Sequence, residues 1–198
     1  LLYGNNLSVL PYLNSEGYEF IYGDFCDDET LNHALKGITD VVFLAGLVGD
    51  PITKKYPKAS LAINEIGVQK TIDKLNHLGL NRLIFISTCS NYGLIDDSQL
   101  ADEDFELKPL SLYAKAKVAC EQKILGLRNK IDFTPTVLRF ATAFGLSSRM
   151  RFDLTISQFT SDLALGKELI VYDANTWRPY CHVQDFAHLI HQVLNAPT

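Results

Sequence analysis

Short apolar runs that alternate with helical patterns constrain the fold of this chain more than any other feature of its sequence. The runs are rich in Val, Ile and Phe, are bounded by turn residues, and lie at 18–22, 40–46, 82–87, 134–140 and 168–172. Their continuous apolar character is typical of strands that are covered on both faces. Helical patterns occupy 27–37, 59–78, 110–127, 153–165 and 183–195. The alternation predicts βαβ units, and therefore an α/β fold with a doubly wound parallel sheet.

Charge and composition narrow the classes of partner. The 198 residues are 47% hydrophobic and carry a formal net charge of −5. These values predict one sizeable core and argue against a nucleic acid or an anionic membrane as the main partner. No apolar run approaches the length of a membrane span, and no signal peptide is recognisable. The four cysteines are far apart with no C-x-x-C spacing, so free thiols and a cytoplasmic location are expected.

The two ends of the chain resemble cuts through a larger protein. The chain begins at LLYGNN without a methionine, and it stops at LNAPT directly after an amphipathic helical pattern. We therefore expect a fragment of a longer protein.

Residues that could contact a ligand follow the first two predicted strands. In a doubly wound sheet, ligands bind beyond the carboxyl ends of the strands. Asp24 can accept a hydrogen bond from an adenine amino group, or it can belong to a turn before a helix cap. The small residues around Leu44, Ala45 and Gly46 can let a flat or phosphorylated ligand approach the backbone, or can form a plain turn.

Hydroxyl groups and a Tyr/Lys pair follow the third predicted strand. The Thr88 hydroxyl can hydrogen-bond a substrate oxygen that becomes a carbonyl, or it can cap the next turn. Tyr113 and Lys117 are one helical turn apart and share a face. A neighbouring ammonium lowers the pKa of a phenol toward the working range of a base, although the same spacing also fits an ordinary helix surface. No G-x-S-x-G elbow is present, which disfavours serine-hydrolase chemistry.

Arginines follow the last two runs in an otherwise acidic chain. Guanidinium groups bind phosphate oxygens in a bidentate manner, so these side chains are candidates for binding a phosphate or diphosphate, with surface ion pairs as the alternative. The candidates are Arg139, Arg149, Arg151 and Arg178. The histidines near the C-terminus lack supporting carboxylate or cysteine spacing, so no metal site is expected.

A series of segments in fixed order carries a family resemblance. They are GDFCD at 23–27, VVFLAG at 41–46, Asn64, ISTCSNYG at 86–93, Tyr113 with Lys117, LRFATAFG at 138–145 and RPYCHVQDFA at 178–187. Together they resemble the extended short-chain dehydrogenase/reductase superfamily, specifically its NAD-dependent sugar epimerase/dehydratase branch. The resemblance covers nearly the whole chain and implies a Rossmann-like sheet.

The resemblance implies a role for each matching residue. Tyr113 is the acid/base for a sugar hydroxyl, Thr88 hydrogen-bonds the reacting oxygen, and Lys117 holds the nicotinamide ribose and lowers the pKa of Tyr113. The implied cofactor-binding residues are Asp24, Phe25, Leu44, Ala45, Gly46, Asn64, Tyr113, Lys117 and Phe140. The implied substrate-binding residues are Cys89, Ser90, Thr142, Arg151 and Arg178.

The implied activity is that of an NAD-dependent nucleotide-sugar epimerase, which oxidises a ring hydroxyl transiently and then returns the hydride. One open alternative is a nucleotide-sugar ketoreductase or dehydrogenase. Another is a non-catalytic dinucleotide-binding relative, against which the set of Thr88, Tyr113 and Lys117 counts. Dehydration is disfavoured, because Cys89 and Ser90 stand where sugar 4,6-dehydratases have an Asp-Glu pair.

The resemblance also divides the chain. Residues 1–145 correspond to an NAD(P)-binding domain without its first strand and glycine-rich loop, and 146–198 correspond to part of the substrate-binding region, interleaved with the last Rossmann elements.

Because the ribose-binding segment is missing, NAD is expected while NADP stays open. Thr142 and Pro179 depart from the family motifs and leave the sugar undetermined. A homodimer through the helices at 59–78 and 110–127 is the family expectation.

Overall fold

A computed structural model describes residues 9–96 and 98–197 of the chain. Within them the chain divides into two compact units, a larger one of 23–141 with 189–197 and a smaller one of 9–22 with 142–188. The LLYGNN start lies outside the described residues. The domain boundary at residue 145 stays a prediction.

A parallel sheet forms the centre of the larger unit. Its strands are β1 (Asp40–Phe43), β2 (Arg82–Thr88) and β3 (Thr134–Phe140), in the order β1-β2-β3. The register pairs Asp40 with Arg82 and Thr88 with Phe140. β2 is central and almost entirely buried, as its continuous apolar sequence requires. The predicted α/β fold with a parallel, Rossmann-like sheet is confirmed.

Helices flank this sheet. They are α1 (Asp28–Ala34), α2 (Asp50–Lys55), α3 (Pro57–Leu61), a π-helical segment (Ala62–Gly67), α4 (Val68–Leu75) and α5 (Leu112–Gly126). Asp27 caps α1, because its carboxylate accepts a hydrogen bond from the Thr30 backbone N–H at 2.8 Å. The core joins β2 to α4 and α5 through Leu83, Phe85, Leu75 and Ile124. Burying each such side chain contributes about 1.5–3 kcal/mol.

The smaller unit contains a second, two-stranded sheet. β4 (Thr142–Phe144) pairs in parallel with β5 (Tyr180–His182). The unit also holds α6 (Thr155–Ala164) and the start of α7 (Val183–Asn195), whose last residues belong to the larger unit. Within the larger unit, the Arg82 guanidinium donates to the Ala196 carbonyl at 2.6 Å and to the Val193 carbonyl, which caps the end of α7.

Two of the predicted strands are wrong. The runs at 18–22 and 168–172 are irregular segments. A strand needs the ladder hydrogen bonds of a neighbour as well as apolar side chains, and in the described part of the chain neither run joins a ladder. The sequence patterns also missed α2, β4, β5 and the π-helical segment within the helix predicted at 59–78.

Among residues 9–96 and 98–197, no helix has both the length and the apolar character needed to cross a bilayer. In the same residues, no cluster of three or more His, Cys, Asp or Glu side chains could hold a metal ion.

Candidate active site

Two neighbouring elements of the larger unit supply the three predicted catalytic residues. Thr88 is the last residue of β2, and Tyr113 and Lys117 lie on α5. The Ser111 hydroxyl caps α5 by accepting a hydrogen bond from the Ala114 N–H at 3.1 Å, so Tyr113 lies in the first turn of that helix. Because Ala114 is small and fully buried, this turn can pack closely on its neighbours.

The Lys117 ammonium points at the end of β2. The residue is only 6% exposed, and its Nζ donates a hydrogen bond to the Ile86 carbonyl at 2.7 Å. The same atom lies 4.5 Å from the ring centroid of Phe85 and 5.8 Å from that of Tyr113. Burial lowers the pKa of Lys117 to about 8. Lys117 is therefore a cation held between the strand and the tyrosine.

Tyr113 is protonated at neutral pH in this structure. Burial raises the pKa of its phenol to about 12, and negative charge at the Cys89 thiol adds to the rise. The lowered pKa of Tyr113 that the resemblance implied is therefore not seen. The physical reason is burial, because the phenol loses the solvation that would stabilise its anion.

The structure shows Thr88 in one of the two roles that its sequence position allowed, that of a cap, and its contact with substrate stays a prediction. Its buried side-chain oxygen accepts a hydrogen bond from the Ser90 N–H at 3.1 Å and so caps the 3₁₀ turn Cys89–Tyr92. A hydroxyl that accepts one bond keeps its own O–H as a donor. The arrangement allows Thr88 to donate to a ligand oxygen at the end of β2.

Asn64 fixes the loop that follows β1. Its Oδ1 accepts from the Leu47 N–H at 2.7 Å, and its Nδ2 donates to the Leu47 carbonyl at 2.9 Å. A Cβ on Gly46, whose φ is +154°, would lie 2.9 Å from Asn64 Oδ1, so glycine suits this close approach. The Cys120 thiol of α5 donates to the Asn64 carbonyl at 3.3 Å. Leu44, with Ala45 and Gly46, is exposed beside this clamp, and direct contact of these residues with a cofactor stays a prediction.

The segment predicted to bind adenine also has structural contacts. Asp24 Oδ1 accepts from the Cys26 N–H at 2.9 Å within a turn. The Phe25 ring packs edge-on against Phe43, with 5.4 Å between the ring centroids. Asp24 is exposed and Phe25 half-buried, and their contact with adenine stays a prediction.

The residues predicted to bind substrate are divided between the two units. Cys89 and Ser90 lie in the turn after Thr88, in the larger unit, whereas the other three belong to the smaller unit. Among those three, the Arg151 guanidinium forms a bidentate ion pair with Asp153, with N–O distances of 2.7 and 2.6 Å. The other two are Thr142, in β4, and the exposed Arg178. Phe140, predicted to bind the cofactor, lies beside Thr88 at the end of β3.

Arg139 is not available as a phosphate ligand. Its guanidinium donates to the buried carboxylate of Glu121 through Nε at 3.0 Å and Nη2 at 2.9 Å. The sequence interpretation overlooked Glu121, although a carboxylate four residues after Lys117 on the same helix face was a readable signal.

We expect Lys117 to titrate with a pKa of about 8 in the cofactor-free protein, well below its usual value of 10.5. Because the folded chain releases this proton at lower pH than the unfolded chain, Lys117 makes the free energy of unfolding rise with pH between those two values. NMR of lysine labelled with ¹³C at Cε measures the pKa directly, and Lys117→Met identifies the signal by removing it. A Lys117 signal that titrates near 10.5 would contradict the buried position of the ammonium.

Gly93→Ala is expected to destabilise the larger unit strongly. Gly93 has φ +72° and ψ −140°, and a Cβ there would lie 2.2 Å from the Lys108 carbonyl oxygen. Gly37 is the matched control, because its φ is +74° and a Cβ would meet nothing within 4 Å. Gly37→Ala should cost about 1–2 kcal/mol for its backbone conformation alone, and Gly93→Ala about 2 kcal/mol more. Equal losses in urea unfolding would show that the turn is not held against Lys108.

A protein-family model matches nearly the whole chain. The model of the NAD dependent epimerase/dehydratase family matches residues 3–198. The dTDP-glucose 4,6-dehydratase of Streptomyces niveus is 26% identical over 192 residues, which are 96% of this chain and 56% of that protein. The chain spans about half the length of the curated relatives that it matches.

Solved structures show the same fold. MoeE5, in complex with UDP-glucuronic acid and NAD, has a TM-score of 0.79 at 26% identity, over 90% of this chain and 59% of that chain. The UDP-glucuronic acid 4-epimerase from Bacillus cereus, in complex with UDP-glucuronic acid and NAD, has a TM-score of 0.84 at 23% identity. That alignment covers 96% of this chain and 60% of the epimerase.

Proposed function

The chain belongs to the NAD-dependent epimerase/dehydratase family, and on that premise we propose that it is part of an NAD-dependent nucleotide-sugar epimerase. The family identified from the sequence motifs is confirmed. The observation that carries the proposed activity is the convergence of Thr88, Tyr113 and Lys117 at the carboxyl end of β2, where an α/β sheet binds its ligands.

Each residue has a part in the proposed reaction. NAD, when bound, would supply the hydride acceptor for the oxidation and the hydride donor for the reduction. Tyr113 takes the proton of a ring hydroxyl and gives a proton back when the keto group is reduced again. Thr88 donates a hydrogen bond to the reacting oxygen. Lys117 would hold the cofactor ribose hydroxyls, and its positive charge together with that of the nicotinamide ring would favour the phenolate form of Tyr113.

The residues of the site fit NAD in three places. Lys117 is a buried cation next to the tyrosine, and residues 44–46, which directly precede the clamped Leu47, are exposed. Asp24 is an exposed acceptor after the turn at Gly23. MoeE5, one of the more similar solved structures, contains NAD, which supports NAD as the cofactor here.

The turn after Thr88 favours epimerisation over dehydration. Elimination of water from a sugar needs an acid and a base besides the tyrosine. This chain has the Cys89 thiol and the Ser90 hydroxyl, and no carboxyl group, at the two positions where the sugar 4,6-dehydratases are expected to have their Asp-Glu pair. The similarity to a dTDP-glucose 4,6-dehydratase makes dehydration the first alternative to test.

A homodimer is part of the proposal. Leu61 and Ile66 are 51% and 57% exposed on α3 and the π-helical segment, and Leu112 and Leu125 are exposed on α5. Apolar side chains exposed on adjacent helices suit an interface with a second copy. We expect the complete protein to sediment as a dimer and the Leu61→Glu variant to sediment as a monomer.

The cytoplasmic location stays a prediction from the sequence.

Cofactor analysis of the protein expressed from its complete coding sequence tests the proposed reaction type. We expect NAD to be retained through purification, and a panel of nucleotide sugars to be isomerised without net formation or loss of NADH. Stoichiometric consumption of NADH or NADPH would instead identify a ketoreductase. Retained NAD with no turnover of any sugar would favour a non-catalytic relative.

A further inference from the structure

A buried carboxylate lies beside the candidate catalytic residues. Glu121 is on α5, one turn after Lys117, and is 1% exposed. Its Oε1 accepts hydrogen bonds from the Ser87 hydroxyl and from Asn91 Nδ2, the latter at 2.7 Å. Its Oε2 accepts both of the Arg139 hydrogen bonds described above. The carboxylate is therefore paired with a cation and hydrogen-bonded at both oxygens.

These bonds connect α5 to both sides of Thr88. Ser87 directly precedes Thr88 in β2, and Asn91 lies in the 3₁₀ turn that follows it. Asn91 Nδ2 also donates to the Ser87 hydroxyl oxygen at 3.0 Å. Because Tyr113 and Lys117 are on the same helix as Glu121, one side chain joins the helix of the acid/base pair to the strand end and turn that carry Thr88.

Arg139 extends the network beyond the strand. Its Nη1 donates to the Tyr92 hydroxyl and to the Glu103 carbonyl, each at 3.0 Å, and its guanidinium carbon lies 5.2 Å from the Tyr92 ring centroid. Tyr92 ends the turn after Thr88, and Glu103 belongs to the acidic segment at 94–109. The network therefore holds the turn from two directions.

Fold stability alone does not require this arrangement. Removing a carboxylate and a guanidinium from water costs several kcal/mol per ion, and well-packed apolar residues in place of a buried pair are often neutral or stabilising. Directional bonds of charged groups, in contrast, set positions closely. Among the described buried polar side chains, Ser87 and Asn91 lie on either side of Thr88, and Glu121 lies one turn after Lys117 on α5.

We propose that Glu121 is a positioning residue, which sets the separation of Thr88 from Tyr113 and Lys117 through Ser87, Asn91 and Arg139. The proposal rests on the proposed function and deepens it. Acid/base catalysis depends on the approach of donor and acceptor, and a misplacement of about 1 Å can cost on the order of 10²-fold in rate. Glu121 acts by holding the residues that contact substrate.

Glu121→Gln is the first test, in the complete protein with the nucleotide sugar that it turns over. The amide keeps the size of the side chain but replaces one acceptor oxygen with a donor, which faces donors from Arg139 or Asn91. We expect kcat to fall by about 10- to 100-fold. The KM for the sugar and the Kd for NAD should each change by less than about threefold, which is a small change in binding free energy. The assay temperature is set well below the unfolding midpoint of each variant.

Two further variants keep the test decisive. Ser87→Ala removes one hydroxyl without uncovering a charge, so it reports on the strand bond even if Glu121→Gln fails to fold. Asp73→Asn is the matched control. It breaks the exposed ion pair between Asp73 and Lys123, which is on α5 with Glu121, and it should leave kcat unchanged. Wild-type kcat in folded Glu121→Gln, or in Ser87→Ala where Glu121→Gln does not fold, would overturn the proposal.

A readout without turnover separates this proposal from the proposed function. The ¹³C-methyl NMR signal of Thr88, assigned with Thr88→Ser, reports the position of this residue in the absence of any substrate. We expect the signal to shift or broaden in Glu121→Gln and in Ser87→Ala, but not in Asp73→Asn. If no sugar is turned over, the proposed function fails, and an unchanged Thr88 signal in both network variants would then overturn the positioning role as well.

Discussion

Tyr113→Phe is expected to lower kcat for the nucleotide sugar by at least about 10³-fold, because a positioned acid/base contributes on the order of 10²–10⁴ to the rate. The variant loses only the phenolic oxygen. The surrounding contacts of α5, including the bond from Lys117 Nζ to the Ile86 carbonyl, do not depend on that atom. Binding of NAD, measured by titration, should therefore remain nearly unchanged.

Tyr172→Phe is the matched control for this prediction. Tyr172 is exposed in the smaller unit and is part of no proposed site, so its hydroxyl should be dispensable for turnover. If Tyr113→Phe kept normal kcat, Tyr113 would have no role in proton transfer. A loss of NAD binding in Tyr113→Phe that accounts for the loss of turnover would likewise contradict the assigned role.

Arg139→Met is expected to lower the free energy of unfolding by about 3–5 kcal/mol, the usual cost of removing one partner of a buried ion pair. Glu121 is almost fully buried, and Arg139 supplies two of its hydrogen bonds. Methionine fills much of the arginine volume but leaves the Glu121 carboxylate without its cation. Urea unfolding monitored by circular dichroism measures the loss.

Lys123→Met provides the comparison for Arg139→Met. Lys123 is on the same helix as Glu121 and pairs with Asp73 at 2.6 Å, but the Asp73 side chain is largely exposed. Exposed pairs contribute about 0–1 kcal/mol. Similar losses in the two variants would mean that the Glu121 carboxylate reaches solvent or another cation in solution.

The sequence predicted the larger unit well where one local signal was sufficient. The run TPTVLRF became β3 with the same bounds, Thr134–Phe140, because a continuous apolar segment between turns is typical of a strand covered on both faces. The 110–127 pattern became α5 with Ser111 as its cap. The sequence also predicted Thr88 at a strand end and Tyr113 with Lys117 on the helix that follows, and the structure has them there.

Features that depend on distant partners were not predictable from local patterns. The runs at 18–22 and 168–172 have the composition of strands, but a run forms a strand only where a neighbouring strand supplies ladder hydrogen bonds. Within the pattern at 59–78, the π-helical segment departs from regular α-helical spacing. This segment contains Asn64, whose side chain is hydrogen-bonded to Leu47, 17 residues away. Arg139 is a phosphate candidate by its position alone, because local spacing does not show that a guanidinium on β3 contacts Glu121 on α5.

Electrostatics were the hardest part of the site to predict. The spacing of Tyr113 and Lys117 correctly placed both on one face of α5, but it could not show where the Lys117 ammonium points. The burial of both residues explains why the pKa of Tyr113 is raised to about 12 and that of Lys117 is lowered to about 8. The approach of a cationic ligand to the phenol is thus what the proposed mechanism needs to favour the phenolate.

The fate of a deuterium label tests the central claim most directly. Nucleotide sugars deuterated at each ring carbon in turn are incubated with the complete protein and NAD, and the products are examined by NMR and mass spectrometry. A transient oxidation predicts an isomer of unchanged mass that keeps its deuterium at the oxidised carbon, with no net NADH formed. A product that has lost the mass of one water, or whose formation consumes NADH or NADPH stoichiometrically, would contradict the assignment as an epimerase.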